Sequence, residues 1–197
     1  MKKTVLAMLV ILMLVASVPV MADEATLGAP VQSADNIVSA NVLSYLLLFF
    51  NVAYERKIFD AMSIRVRASD WALISAVSSG AAGWYGVGAD IYFYPAAKAC
   101  KGFFLGPRID LIWVGAKTTD SSTGESVTGT YDNIRVGAQI GYKWVFDGGF
   151  EMALALGGWS GISSHWTVSS GSASVSQPSD PLNTFLPTVD YDIGYAF

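Results

Sequence analysis

Eleven charged side chains recur at alternate positions in stretches whose remaining positions are largely apolar: Glu55, Arg65, Arg67, Asp90, Arg108, Asp110, Arg135, Lys143, Glu151, Asp190 and Asp192. Brought together, these acids and bases could pair with one another in a confined space, or line a path for protons, ions or small solutes. His165 suggests different chemistry. It is the only histidine and follows Ser163 and Ser164, and a histidine beside a serine and an acid can activate a nucleophile. It falls, however, in a Ser-rich polar segment, Ser160 to Pro181, with no strand pattern to hold it, so a solvent-exposed loop histidine and a non-catalytic chain are expected. Cys100 is alone, which excludes a disulfide within the chain; a tolerated turn residue is the simpler reading, a reactive or dimer-forming thiol the alternative. With one His, one Cys and carboxylates that alternate with basic residues, there is no metal-ligand cluster, and no Gly-rich phosphate loop occurs, so no metal or cofactor is expected.

The elements that must position these charges are strands. From Ile134 to Trp144 the two parities separate cleanly: Ile134, Val136, Ala138, Ile140, Tyr142 and Trp144 fall on one face, and Arg135, Gly137, Gln139, Gly141 and Lys143 on the other. Asp147-Gly148-Gly149 turns the chain, and Phe150, Met152, Leu154 and Leu156 resume the apolar face opposite Glu151. The same alternation marks strands near Asn51, Ile64, Ala89 and Ile109, with Pro107 implying a bulge or irregularity in the last of these. A final strand runs from about Thr184 to Phe197, with Val189, Ile193, Tyr195 and Phe197 on its apolar face. Arg56 to Ala61, Pro95 to Lys101 and Asp147 to Gly149 read as short connections, and Lys117 to Thr130 and Ser160 to Pro181 as long polar loops. One further strand is expected just before Asn51, where the segment from Val42 is apolar on both parities, giving about eight strands.

Which face is inside follows from composition and export. Met1-Lys2-Lys3, an apolar run and Val20-Met21-Ala22 read as a secretory signal peptide over 1–22, followed by a flexible leader over 23–38. Without Lys2 and Lys3, 10 basic face 16 acidic residues, a net charge of −6 that disfavours nucleic acid as a partner. The chain is 52% hydrophobic and only 14% charged, yet past residue 22 it has no uninterrupted apolar run long enough for a membrane helix. An exported, apolar, strand-patterned chain fits the closed barrels that satisfy every backbone group in lipid. The fold expected for 39–197 is therefore all-β: a closed antiparallel transmembrane β-barrel. An Arg or Lys on the lipid face at mid-membrane costs roughly 2 to 4 kcal/mol, so the apolar parity must face out. Ile134, Val136, Ile140, Met152, Leu154, Val189 and Ile193 are then lipid-facing, and the eleven charges fill the lumen. Trp71, Trp84, Trp113, Trp159 and Trp166 are expected toward one membrane interface, and Tyr54, Phe93, Tyr142, Trp144, Phe146, Phe150, Tyr195 and Phe197 toward the other.

The terminal Ile193-Gly194-Tyr195-Ala196-Phe197 resembles the C-terminal signal of outer-membrane barrels that insertion machinery reads, with Tyr195 and Phe197 as the residues that carry it. In pattern the chain is similar to the small barrels typified by the OmpA transmembrane domain and the OmpW-like proteins, although in the usual signal a glycine lies further from the terminus than Gly194. The resemblance implies a monomeric protein of the bacterial outer membrane, with membrane lipid and lipopolysaccharide and the insertion machinery as partners. Its role is expected to be structural or surface-interacting, any loop partner being unidentified. The alternatives are a narrow channel for small or apolar solutes and a lipid A-modifying enzyme. Against the last, the His-x-Ser arrangement of the lipid A deacylases is absent, since His165 is followed by Trp166-Thr167.

Overall fold

The computed structural model describes residues 34–71, 78, 81–96, 98–119, 124–170, 173–179 and 185–197. The stretch 1–22 and most of the leader lie outside them. Among the described residues nine strands form one antiparallel sheet: β1 (Asn36–Asn41), β2 (Phe49–Phe59), β3 (Met62–Trp71), β4 (Ala82–Phe93), β5 (Gly102–Thr119), β6 (Ser126–Val145), β7 (Phe150–Ser170), β8 (Ala173–Ser179) and β9 (Leu186–Ala196). Eight of them close into a ring. Each neighbour from β1 to β7 pairs in chain order, β7 pairs with β9, and β9 returns to β1. β8 pairs, among the described strands, only with the upper part of β7.

The strand missing from the sequence pattern is β1. It starts at Asn36, inside the stretch 23–38 read as a flexible leader, which is thereby corrected at its end. The residues before Asn51 that are apolar on both parities make a short helix, α1 (Val42–Leu46), capped by Asn41, whose side chain accepts from Ser44 N–H. Both ends of the ring come together: Asn36 and Phe197 exchange backbone hydrogen bonds of 3.0 and 2.8 Å. The turns at 60–61, 94–101 and 146–149 lie at this same end, hereafter the turn end. Gly148 and Gly149 both adopt positive φ, 88° and 86°, which the tight turn requires and a side chain would strain.

Both expected long loops are mostly strand over their described residues. β5 and β6 stay paired out to Thr119 and Ser126, and β7 and β8 pair from Ser164–Ser179 to Ser170–Ala173. The Ser- and Thr-rich composition read as loop is a hairpin extension standing beyond the ring at the end opposite the turns. The connection read over Arg56 to Ala61 is likewise shorter, because β2 runs to Phe59. Pro107, which cannot donate to a ladder, leaves Ile91 and Tyr92 out of the β4–β5 pairing without shifting its register.

The sheet is inverted relative to a water-soluble sandwich. Val136, Ile140, Leu154 and Val189 are exposed on the outer face, Val189 to 53%, and Ile134, Met152 and Ile193 are half-buried beside them. The inside holds Glu55, Asp90, Glu151 and Lys143, each no more than 3% exposed, around the buried rings of Tyr92, Tyr94 and Phe104.

Candidate functional site

The lumen is the candidate site, and strand alternation places it. All eleven expected charges have the inward parity of their strands and are buried or half-buried. At the turn end Lys143 binds Glu55, while Ser63 Oγ and Tyr94 OH each donate to Glu55 Oε1 at 2.6 Å. Phe104 fills the space beside this pair, its ring 4.5 Å from that of Tyr92 and 5.9 Å from that of Tyr94.

A denser tier follows above. Arg65 Nη2 lies 2.8 Å from Asp192 Oδ2, and its Nη1 donates to Tyr92 OH at 3.0 Å. Arg67 meets Asp90 through Nε and Nη2 at 2.8 and 3.0 Å, and Nη2 also reaches Asp110 Oδ1 at 2.9 Å. Arg108 Nη1 lies 3.0 Å from Asp190 Oδ2, with Asp90 and Asp110 within 4 Å of its Nε. Asn41 donates to the other Asp190 oxygen at 2.8 Å. Gly88 makes room for this tier, since a Cβ there would sit 2.2 Å from Asp110 Oδ1 and 2.8 Å from Arg67 Nη2. Between Asn41, Asn51 and the three guanidiniums remains a cavity of about 10 Å³, room for about one water.

Two of the eleven do not join the ion pairs expected of them. Glu151 is buried beneath the network with no base within ion-pair distance, and its Oε2 accepts no hydrogen bond. Among the described residues, Arg135 has no carboxylate within 4 Å either. Its guanidinium lies 3.6 Å over the Trp159 ring, and Nε donates to Asn133 Oδ1 at 3.0 Å. Parity placed both residues inside but could not choose their partners.

Of the tryptophans expected as an outer girdle, Trp113 keeps the outward parity of β5, on the face of Ile109 and Leu111, and the others are corrected. Trp71, Trp84 and Trp159 carry the inward parity, and Phe49 stacks on Trp71 at 4.6 Å and meets Trp84 edge-on at 5.2 Å. Away from the turn end, the interior thus changes from charged to aromatic. At the turn end the expected belt does face out: Phe93, Tyr142, Trp144, Phe150, Tyr195 and Phe197 are exposed, with Tyr195 and Phe197 stacked at 6.4 Å.

His165 lies in β7, not in a loop. The β6–β7 register shifts between Ile134 and Arg135, which pair with Ser163 and Gly161, so the parity of β7 changes at Ile162. Ser164 is consequently buried on the inner face and His165 exposed on the outer one, opposite Asp132 and Pro178. No hydrogen bond joins Ser163, His165 and Asp132. Cys100 is a turn residue, as expected, and a buried one: it packs at the turn end against Ala34, Ile37 and Ala196 at φ 68°, and burial pushes its thiol pKa well up. Among the described residues no group of three or more His, Cys, Asp or Glu could hold a metal ion.

Comparison with models of known protein families gives no match, and comparison with curated proteins gives none. Among solved structures, the N-terminal β-barrel domain of Pseudomonas aeruginosa OprF is similar over 84% of this chain and 100% of its own, with 10% identity and a TM-score of 0.44. The barrel assignment rests on the closed ring of strands itself.

Proposed function

We propose that this chain is a small integral outer-membrane β-barrel with a filled, non-conducting lumen, serving a structural or surface-interaction role without catalysis. The observation that carries the reading is the inversion of the sheet: an apolar exterior around an interior of paired charges. On β6 the outer face holds no charge from Ile134 to Trp144. These ten steps of ~3.3 Å, tilted by ~40°, rise about 25 Å, which matches the ~25 Å apolar band of such barrels. Water-soluble proteins rarely expose so continuous an apolar surface.

The filled lumen supports a plug over a channel. Arg65, Arg67, Arg108 and Lys143 are each tied to carboxylates, and passage of an ion would require breaking several of these pairs together. Ser164 lies on the face opposite His165, and Ser163, on the same face, makes no hydrogen bond with it; both observations support a non-catalytic protein. Membrane lipid and lipopolysaccharide are the partners proposed for the outer belt, and the barrel-insertion machinery for Tyr195 and Phe197. The barrel is proposed to act as a monomer, because the ring leaves no open edge at membrane level.

Planar-bilayer recordings on the refolded chain test the plug: no steady conductance is expected, and reproducible single channels would overturn it. Heat-modifiable migration in outer-membrane fractions tests barrel and location together.

A further inference from the structure

Arg135 differs from the other cations of the interior. Arg65, Arg67, Arg108 and Lys143 each contact a carboxylate, whereas Arg135 lies over the Trp159 ring and, among the described residues, makes a hydrogen bond only through Nε. Among the described residues, neither of its Nη groups has an acceptor. Asp110, its partner in the β5–β6 register, is engaged by Arg67. A guanidinium stacked on an indole keeps its forked edge free and planar, the geometry that matches a carboxylate with two parallel hydrogen bonds.

The next inward residues of β6 beyond the guanidinium lead to aromatic rings. Asn133 holds Arg135 through Oδ1 and donates through Nδ2 to Tyr131 OH at 2.9 Å, linking the guanidinium to the next inward ring of β6. Tyr131 packs against Trp166 across the strand pair at 5.0 Å, and Trp166 is 49% exposed on the inner face of the hairpin extension. Val168 and Val175 continue that face and are also exposed. From foot to top, the described residues therefore offer a cationic fork without a partner among them and then a run of exposed aromatic and apolar side chains.

We propose that Arg135, Tyr131 and Trp166 form an open binding site at the mouth opposite the turn end, for a carboxylate carried on a flat apolar ring. The fork takes the carboxylate and the aromatic wall the ring; neither half alone accounts for both exposed features. The proposal goes beyond the structural reading and needs only that this mouth faces water.

The full chain, folded in lipid nanodiscs, is titrated with 2-naphthoate by equilibrium dialysis, with empty nanodiscs subtracted and acetate and inorganic phosphate as comparison anions. Saturable binding of one naphthoate per barrel is expected, with acetate and phosphate far weaker. Arg135→Gln should weaken it about tenfold, and Trp166→Ala several-fold, while His165→Ala on the outer face leaves it unchanged. Heat-modifiable migration establishes that each variant is folded. If Arg135→Gln does not fold, Arg135→Lys carries the test, because it keeps the charge, loses the planar fork and should still weaken binding. No saturable binding, equal affinity for acetate, or folded Arg135 variants that bind as the native chain does would overturn the proposal. A conducting barrel would refute the plug and leave this measurement standing.

Discussion

Arg67 holds Asp90 with two hydrogen bonds of 2.8 and 3.0 Å, and the Nη2 that makes the longer one also reaches Asp110 at 2.9 Å. One guanidinium thereby joins β3, β4 and β5 across the inside of the barrel. Asp90→Asn removes the charge that Arg67 needs and that Arg108 approaches, leaving buried cations short of an anion. The expected loss is about 3 to 5 kcal/mol in urea unfolding of the barrel, followed by tryptophan fluorescence. Unchanged stability would mean that water reaches this tier.

Arg108 and Arg135 should behave differently although both are inward arginines of neighbouring strands. Arg108→Met strips Asp190 of its base and is expected to cost several kcal/mol. Arg135→Met removes a contact with Trp159 and strands no carboxylate, so about 1 kcal/mol is expected. Equal losses in the same unfolding assay would contradict the pairing described.

Gly88→Ala would force a methyl against the Arg67–Asp110 pair and within 3.1 Å of the Ile109 carbonyl. A loss of about 1 to 3 kcal/mol is expected, since overfilling a packed site displaces its neighbours. A change of charge pairing without backbone movement would appear as a reduced loss in the double variant Gly88→Ala, Asp110→Ala.

Cys100 should resist thiol reagents in the folded barrel and react after denaturation. Burial raises its pKa above the ordinary value of 9.0, so the fold favours the neutral thiol. Its contribution to stability is complete below the unfolded pKa and is lost as pH rises toward the folded one. Unfolding at pH 8 and at pH 10 checks the sign: the barrel should be less stable at the higher pH, and Cys100→Ser should reduce that difference.

Period-two alternation made the ring and its orientation readable, because Arg135, Lys143 and Glu151 share one parity and Ile134, Ile140 and Leu154 the other. Pairing within the lumen was not readable. Glu55 reaches Lys143 from β2 to β6, across the barrel rather than along the sheet, and such a contact depends on stagger and diameter, which no local spacing encodes. The hairpin extension was read as loop because Ser and Thr are as common in loops as on wet strands, and only cross-strand pairing decides between them. The inward tryptophans escaped for a related reason: Trp159 shares the parity of Glu151, but an aromatic in a membrane barrel is expected at the interface, and composition outweighed parity. The inward turn of Trp166 depends on the register shift at Ile162, which the sequence does not mark.

The seam between β1 and β9 joins residues 36–41 to residues 192–197. Every other seam of the ring lies closer along the chain, so this one makes a schedule as well as a wall. As the chain folds, β2 to β7 can meet neighbours adjacent in sequence, but β1 must wait with one edge bare until β9 arrives. Closure therefore ends assembly, and until then the protein is an open ribbon whose two loose margins need shelter from other chains.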